Sequence, residues 1–525
     1  MSTLLLENVI IVDGTGAPPY RGSVWIDTGK IRSVCPAGTP EPDPAVADRT
    51  MDGNGMMLCP GFIDAHSHSD LALLAAPEAF GKLSQGITTE VNGNCGLSPF
   101  PVTARNRAHL EELYAGYGVP LSWHSYAEYA AVLQQAAPAI NVLSLCGHNT
   151  LRAAVLGYGR APLTAAAGDA MQSLLYRALV EGAAGFSSGL IYIPGKFAPP
   201  EELEGLLRVL RPFRRPYTTH LRSEGVQLLE ALTEAITVSQ RAGIPHLHLS
   251  HLKTAGAANW HKLDAALELI AEGKASGLHI TADRYPYIES MTNLSVILPP
   301  PYDDIDDVTL MRRLADPAEP ERLEAALAAI APTRWDTVRL VTAAPGKYHA
   351  LQGFTFREIA ASTGLTPSRI CRELLVEDTP GTMAAFRGMN PVNLRRILAW
   401  PDVCCGTDET ARPRDYRLGR SHPRGFGSFP EFYRLLQPSL SPEQIIYKMT
   451  GLPAAIFGLP DRGIIAPGYA ADLVLLDPAA LSGPADFAAP HTPARGIGAV
   501  FVNGETAYSD GRVIARAGQV LSPQI

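Results

Sequence analysis

The chain has few of the features that mark nucleic-acid-binding or membrane proteins. Only 18% of its 525 residues are charged, and 52 acidic against 44 basic residues give a net charge of −8 without any Lys/Arg block. Nucleic-acid-binding proteins carry a basic patch, so that class is disfavoured. No apolar run approaches the roughly 20 residues of a membrane span. We therefore expect no nucleic-acid partner and no membrane, while the oligomeric state stays open.

Cysteine is also scarce. The seven cysteines are scattered and odd in number, which excludes a disulfide framework and favours a cytoplasmic protein. One of them, Cys95, lies in the polar, glycine-rich stretch "VNGNCGLSPF" directly after a β-branched run. Structural cysteines prefer apolar cores. This thiol is therefore a candidate metal ligand, nucleophile or redox group.

The middle of the chain, residues 58–457, alternates short β-branched runs with longer helical stretches. The strand candidates are GFIDAH, GITTEVNGN, INVLSLCGH, GFSSGLIY, PYTTHLRS, PHLHLSHLK, LHITADRYPY and VCCGTDE. Eight such alternations predict an α/β fold with a (β/α)8 barrel. The gap between strands seven and eight is too long for a loop, so we expect an inserted subdomain at about 289–345.

The two ends of the chain resemble each other. Residues 1–57 and 458–525 both contain strand-like runs broken by Gly/Asp turns, such as "LLLENVIIVDGTG" and "GYAADLVLLDP". Runs of this kind predict strands joined by tight turns. We therefore expect one small β domain built from both ends, with the barrel inserted between them.

Polar residues follow the strand candidates at the same end. The active sites of such barrels lie at the C-terminal ends of the strands. In strand order these residues are His66 with His68, Cys95, His148, Tyr192, His220, His251 with Lys253, Tyr285, and Asp408. Chance placement would scatter them, so the pattern predicts a single site.

Side-chain alternation selects among the histidines. Both histidines of "IDAHSH" share one face of strand one and can reach one ion. In "HLHLSHLK", His251 lies on the inward face, whereas His246 and His248 face the helices. His-x-His alone is a weak signal, but further histidines closing strands five and six and an aspartate closing strand eight strengthen it. Imidazole, thiolate and carboxylate groups suit zinc.

Segments along nearly the whole chain, in order, carry a family resemblance. They include PGFIDAHSHSD, GITTEVNGNCGLSPFP, GFSSGLIYIPG, THLRSEG, LSHLKTAG, ADRYPY, CGTDE, HPRGFGSFP, KMTGLPAAIFGL and DRGIIAPGYAADLVLLDP. By these segments the chain resembles the N-acyl-D-amino-acid deacylase (D-aminoacylase) family of the amidohydrolase superfamily. The resemblance implies a barrel with a small β-sandwich made from both termini. It also implies zinc-dependent hydrolysis of N-acyl-D-amino acids to a carboxylate and a free D-amino acid.

The resemblance also implies a ligand set. Many binuclear amidohydrolases bridge two metals with a carboxylated lysine at the end of strand four, but "AAGFSSGLIY" contains no lysine. The deacylase family uses a cysteine closing strand two, which is Cys95 here. The implied ligands are Cys95, His220 and His251 for one tight zinc, and His66, His68 and Asp408 for a second, weaker site.

Roles for the remaining residues follow from the chemistry and the resemblance. Zinc lowers the pKa of bound water to roughly 7, and Asp408 is the candidate general acid/base. The residues implied to bind the substrate carboxylate are Tyr192, Lys253, Tyr285 and Arg424. His148 is expected either to orient substrate or to pin its own loop. The arginines of "ETARPRDYRLGRS" are expected on a solvated loop at the mouth of the site.

Three alternatives stay open at this point. A cyclic-amide or isoaspartyl-peptide hydrolase would share barrel and metal but should show the strand-four lysine. A deaminase would carry an acidic residue close after the strand-five histidine, and Glu224 follows His220 by four. A non-enzymatic barrel scaffold is disfavoured by the intact set of candidate ligands.

Overall fold

The structure is a computed structural model that describes residues 3–39 and 47–523. The described residues near the start of the chain form a series of strands. They are β1 (Leu4–Ile11), β2 (Tyr20–Asp27), β3 (Lys30–Pro36), β4 (Arg49–Asp52) and β5 (Met57–Pro60). β1 pairs antiparallel with β2 and parallel with β4 and β5.

The barrel strands come next, and three strands of an inserted sheet precede the last of them. The barrel strands are β6 (Phe62–Asp64), β7 (Ile87–Asn92), β8 (Asn141–Ser144), β9 (Cys146–Gly147), β10 (Phe186–Gly189), β11 (Tyr217–His220), β12 (His246–Leu249) and β13 (His279–Arg284). The inserted strands are β14 (Glu289–Asn293), β15 (Val338–Thr342) and β16 (Met383–Arg387), and β17 (Val403–Cys405) completes the barrel.

Parallel pairing closes the barrel. β6, β7 and β8 form one run, and β9 to β13 with β17 form the other. Only Leu145 separates β8 from β9, so these two segments are one strand position. The Ala65 amide donates to the Cys405 carbonyl at 3.3 Å and joins β6 to β17. Within residues 47–523 this makes eight strand positions, one for each predicted run, and the predicted (β/α)8 barrel is confirmed.

Helices alternate with the barrel strands and also fill the insertion. They are α1 (Ala72–Ala75), α2 (Phe80–Leu83), α3 (Arg107–Leu113), α4 (Tyr126–Gln135), α5 (His148–Leu156), α6 (Ala165–Val180), α7 (Pro200–Leu210), α8 (Leu228–Ala242), α9 (Leu263–Ala275), α10 (Asp307–Leu314), α11 (Glu319–Leu327), α12 (Pro332–Trp335), α13 (Phe356–Thr363), α14 (Pro367–Asp378), α15 (Pro391–Ala399), α16 (Arg424–Leu436), α17 (Pro442–Met449) and α18 (Gly451–Phe457).

The helix α8 shows how the sequence builds the outer layer. Leu228, Leu232 and Ala235 recur at helical spacing and are buried against the barrel, as expected of an amphipathic surface helix. The helix ends at Gly243, whose φ of 69° is left-handed. Glycine adopts this conformation without the steric penalty of a Cβ atom. Within the described ranges, no helix combines the length and the apolar character needed to cross a bilayer.

The sheet at the chain start is completed from the chain end. The C-terminal strands are β18 (Leu473–Leu476), β19 (Ile497–Val502), β20 (Glu505–Ser509) and β21 (Arg512–Val513). β18 pairs antiparallel with β5 and with β19. Its side chains alternate: Leu473 and Leu475 pack into the core of the sheet, whereas Val474 and Leu476 pack against the barrel. The β domain is therefore built from both ends and rests on the barrel.

The insertion reaches further than the predicted range of about 289–345. β16 pairs antiparallel with both β14 and β15, and helices α13 and α14 share the apolar core of this unit. The inserted subdomain therefore continues to Arg387. Its central strand, "MAAFR", is short and rich in alanine, which has a weak preference for strands, so the sequence pattern does not reveal it.

Candidate active site

Side chains that can bind a metal meet at the C-terminal end of the barrel. They form two groups in which the possible ligand atoms lie within 4.8 Å of one another. The groups are Cys95 with His220 and His251, and His66, His68, Cys95 and Asp408. Cys95 belongs to both groups. The structure thus brings together every residue that the sequence suggests as a metal ligand.

The backbone is held in an uncommon conformation at three of these residues. Cys95, His251 and Asp408 have φ angles of 53°, 37° and 51°. Such conformations cost of the order of 1–3 kcal/mol each for non-glycine residues and cluster at functional sites. The Asp408 amide donates to the His66 carbonyl at 2.8 Å. That bond ties the ends of β17 and β6 together at the site.

The turn that carries Cys95 packs against the end of β10. The Gly96 amide donates to the Ser187 hydroxyl at 3.1 Å. A Cβ atom at Gly189 would lie 2.0 Å from the Cys95 carbonyl oxygen. Only glycine allows this approach, so the end of β10 has no room for a lysine side chain. Lys196, further along the chain, pairs with Asp304 at 2.6 Å.

The Cys95 thiol lies beside the imidazole rings of two histidines. Its Sγ atom lies 3.3 Å from His66 Nε2 and 3.4 Å from His251 Nε2. Burial raises the pKa of Cys95, but the His66 and His251 rings outweigh it and hold the pKa well below its usual value. The thiolate is the form of cysteine that binds metals.

His220 has ring nitrogens that are available to bind a metal. Both of its ring nitrogens are buried and make no hydrogen bond. Its ring centroid lies 4.4 Å from that of His251, and the nearest carboxylate oxygen, on Glu224, is 3.5 Å from Nε2. Buried polar atoms are rarely left unpaired. Two imidazoles and a thiolate in this arrangement fit zinc, which favours nitrogen and sulfur ligands.

Asp408 connects the second group to a buried arginine. Its Oδ1 atom lies 3.2 Å from His68 Nε2 and 3.5 Å from His66 Nε2. Its Oδ2 atom accepts a hydrogen bond from Arg424 at 2.8 Å. Burial raises the pKa of Asp408, but Arg424 and His251 outweigh it and hold the pKa well below its usual value. Asp408 is therefore ionised and able to accept a proton.

The predicted carboxylate-binding residues surround the same cavity. The guanidinium carbon of Arg424 lies 4.7 Å from the Tyr285 ring centroid, and the buried Tyr285 hydroxyl makes no hydrogen bond. The Tyr192 hydroxyl is 3.5 Å from that of Thr292. The Lys253 ammonium contacts the Glu224 carboxylate. Lys253 and Arg424 are thus both engaged by acidic side chains within the site.

The cavity has a volume of about 1380 Å³ and lies between the barrel and the insertion. This exceeds the range of about 300–1,000 Å³ common for small-molecule sites. Insertion residues in its wall include Met291, Val296, Tyr302 and Phe386. The inserted subdomain therefore forms part of the substrate pocket rather than a separate module.

The arginine-rich loop after Asp408 is largely engaged in local contacts. Arg412 and Arg417 line the cavity. Arg417 pairs with Asp415 at 2.9 Å and also contacts Glu78. Arg420 donates to backbone carbonyls of residues 487 and 488. These arginines serve mainly to hold the loop.

Two carboxylates near the site carry more contacts than the sequence pattern indicates. Asp283, at the end of β13, accepts from His66 Nδ1 at 3.1 Å and from the His251 amide at 3.0 Å. Glu224 lies 2.9 Å from His251 Nδ1. Burial raises the pKa of Glu224, but His220, Lys253 and His251 together hold it well below its usual value. The sequence signals were the positions of Asp283 in "ADRYPY" and Glu224 in "THLRSEG".

His148 lies apart from the metal groups. Its Nε2 atom is 2.8 Å from Glu202, in the first turn of the neighbouring helix α7. Arg152 of the same helix as His148 lies 3.2 Å from the same carboxylate oxygen. These contacts favour the expectation that His148 pins its own loop.

Comparison with known proteins identifies the family. The amidohydrolase family profile matches residues 49–508. The chain is 33% identical to the N-acyl-D-glutamate deacylase of Alcaligenes xylosoxydans xylosoxydans over 99% of this chain and 96% of the relative. It is 31% identical to the D-aminoacylase of the same organism over 98% of this chain and 97% of that relative.

A solved structure agrees with these relatives. The crystal structure of N-acyl-D-glutamate deacylase from Bordetella bronchiseptica, in complex with zinc and a phosphonate inhibitor, matches with a TM-score of 0.81. The two sequences are 32% identical, and the match covers 99% of both chains. The resemblance predicted from the sequence motifs is confirmed. The chain belongs to the amidohydrolase family and, within it, to the N-acyl-D-amino-acid deacylases.

Proposed function

We propose that this protein uses zinc to hydrolyse the amide bond of N-acyl-D-amino acids, releasing a carboxylate and a free D-amino acid. The observation that carries this proposal is the group formed by Cys95, His220 and His251, with unpaired imidazole nitrogens beside an ionised thiol at the base of a large cavity. The names of the relatives, which are deacylases of N-acyl-D-glutamate and of D-amino acids, support the substrate class.

Two metal positions are assigned in this proposal. Cys95, His220 and His251 hold one tight zinc, because thiolate and imidazole are its preferred ligands. His66, His68 and Asp408 line a second, weaker position that shares Cys95. When bound, zinc supplies an activated water molecule near neutral pH and a Lewis acid for the carbonyl.

Asp408 is the general acid/base of the reaction. Its low pKa keeps the carboxylate ionised before the reaction, so Oδ1 can take a proton from the attacking water. The same carboxyl group then returns the proton to the nitrogen of the leaving amine. Arg424, at 2.8 Å from Oδ2, keeps the other oxygen fixed while Oδ1 works.

Four residues bind the substrate's α-carboxylate in this proposal. Arg424 offers a guanidinium, Lys253 an ammonium, and Tyr192 and Tyr285 each a hydroxyl donor. The unpaired hydroxyl of Tyr285 supports the assignment, because a carboxylate oxygen would satisfy it. Binding of the α-carboxylate places the scissile amide over the metal ligands. The binding energy of this contact thus helps to orient the amide for reaction.

The cysteines bear on the cellular location of the protein. All seven cysteines are free and buried, which supports a cytoplasmic location, because disulfides are rare in that compartment. The partner is the small-molecule substrate.

A panel of N-acetyl-D- and N-acetyl-L-amino acids tests the proposal. Zinc-loaded protein is incubated with each substrate, and the free amine is measured against protein treated with a chelator. We expect amine release from the D-substrates only, and its loss after chelation. Equal release from both enantiomers would contradict the D-specific assignment. Release from cyclic amides but from no linear N-acyl amino acid would point to a different amidohydrolase reaction.

A further inference from the structure

A chain of hydrogen bonds leads from β12 through β13 to His66. His246 Nε2 and His248 Nδ1 each lie 2.8 Å from the Thr281 hydroxyl. His248 Nε2 lies 3.0 Å from Asp283 Oδ2, and the same oxygen lies 3.1 Å from His66 Nδ1. Apart from His246, which is slightly exposed, these side chains are fully buried. The chain therefore ends directly behind one of the candidate metal ligands.

The donors and acceptors of this chain have one consistent arrangement with neutral imidazoles. An ionised carboxylate only accepts hydrogen bonds, so both His66 Nδ1 and His248 Nε2 must donate to Asp283. Neutral His248 then accepts at Nδ1, and the Thr281 hydroxyl spends its single proton there. Its oxygen is left to accept from His246. His66 consequently keeps its free lone pair on Nε2, the atom that faces Cys95 at 3.3 Å.

Asp283 also holds the other group of candidate ligands. Its Oδ1 atom accepts from the His251 backbone amide at 3.0 Å, where the backbone has a φ of 37°. Both oxygens of one carboxylate are thus used for orientation. Without His248, Oδ2 would keep only His66 as a donor, and the carboxylate would hold the His66 ring less firmly.

We propose that His248 is a positioning residue for the metal centre. Acting through Asp283, it fixes the tautomer and ring orientation of His66 and so raises the affinity of the site formed by His66, His68 and Asp408 for a divalent metal. The proposal rests on the metal sites of the proposed function, but not on its substrate. Groups that orient a metal ligand in this way typically contribute 10–100-fold to metal affinity.

Metal titration of the apoprotein tests this directly, without any substrate. Zinc is titrated in competition with a chromophoric chelator, and cobalt(II) absorption is recorded in parallel. In His248→Phe we expect the weaker of two metal equivalents to bind about 10–100-fold less tightly. His248→Gln should restore most of the affinity, since its amide can donate to Asp283 and its carbonyl can accept from Thr281. His246→Phe, on the same face of the strand, is the matched control and should bind both equivalents like the wild type.

The outcomes separate positioning from packing. Unchanged affinity in His248→Phe overturns the proposal, and so does an equal loss in all three variants, because packing of the strand would then explain it. A wild-type protein that binds only one equivalent overturns it as well, while leaving deacylase activity to be judged by the substrate panel. If His248→Phe does not fold, His248→Asn decides, since its shorter side chain cannot span from Thr281 to Asp283 and should show the same loss.

Discussion

Arg424 and Asp408 form a buried ion pair in which a guanidinium nitrogen lies 2.8 Å from a carboxylate oxygen. The pair joins the start of α16 to the end of β17 and leaves Asp408 Oδ1 facing the two histidines that follow β6. A carboxylate with one oxygen held by arginine can use the other to exchange a proton with bound reactants.

Replacing Asp408 with asparagine should slow the reaction while leaving the tight zinc in place. The amide keeps the shape of the carboxylate but cannot accept the proton, so kcat should fall by roughly 10²–10⁴. Metal content by mass spectrometry and steady-state kinetics check both parts. Asp415→Asn changes an exposed carboxylate of the same loop and should behave like the wild type. Near-normal turnover in Asp408→Asn would assign the proton transfer to another group.

Removing the Cys95 thiol should empty the tight site. Cys95→Ala leaves two imidazoles without their anionic partner, so we expect loss of most of the zinc and of nearly all activity. Cys371→Ala removes another buried thiol, in the core of the insertion, and should retain its metal. The metal-to-protein ratio after gel filtration measures the effect. Full metal content in Cys95→Ala would exclude this thiol as a ligand.

Truncation of the carboxylate-binding cations should reduce activity more on substrates with a free carboxylate than on amidated ones. Removing one partner of a buried charge pair costs about 2–5 kcal/mol. Arg424→Ala or Lys253→Ala should therefore lower kcat/KM for N-acetyl-D-amino acids by about 30-fold or more. Amidated substrates should be poor for the wild type and should lose less activity in the variants, because only the contacts of these cations with Asp408 and Glu224 are then lost. Arg417→Ala, which removes a cavity-lining arginine paired elsewhere, is the control.

Equal losses for amidated and free-acid substrates would be the contrary result for these variants. Arg424 and Lys253 would then act only through Asp408 and Glu224, their acidic partners in the structure. Comparing the two substrate series distinguishes a direct contact from this internal role.

A buried lysine beneath the site should matter for stability. Lys82 lies 2.6 Å from Asp64 and 3.3 Å from Glu90, and all three side chains are fully buried. Lys82→Met leaves two acidic groups without their counter-charge, so the free energy of unfolding should fall by about 3–5 kcal/mol. Arg396→Met breaks an exposed pair and should change it by at most about 1 kcal/mol. Denaturant unfolding compares the two, and equal effects would contradict the argument.

The barrel could be predicted from the sequence because each of its strands is a short β-branched run that ends in a polar residue. That inference needs only local periodicity. Side-chain alternation was wrong about β12, however. Leu247 and Leu249 pack with the helices α8 and α9, whereas His248 contacts Asp283 beside His66 inside the barrel. His246 and His248 therefore do not face the helices, because the bend between β12 and His251 breaks the alternation on which the prediction depended.

The contacts between distant residues could not be predicted in the same way. Nothing in "ADRYPY" shows that Asp283 reaches His66, which is more than two hundred positions earlier. The pairing of Lys253 with Glu224 depends similarly on how two loops meet. The central strand of the insertion was missed for a local reason, since alanine carries little strand signal.

The pairing of β5 with β18 has a consequence for synthesis on the ribosome. Roughly 400 residues separate these strands. At a synthesis rate of about 5–20 residues per second, β18 is therefore made about 20–80 s after β5. During that time the edge of a nascent apolar strand is exposed, and such edges can pair with other chains. The barrel can form before the ribosome delivers β18. The last step of assembly is therefore the pairing of the C-terminal strands with β5, which completes a sheet whose first strands were synthesised at the start.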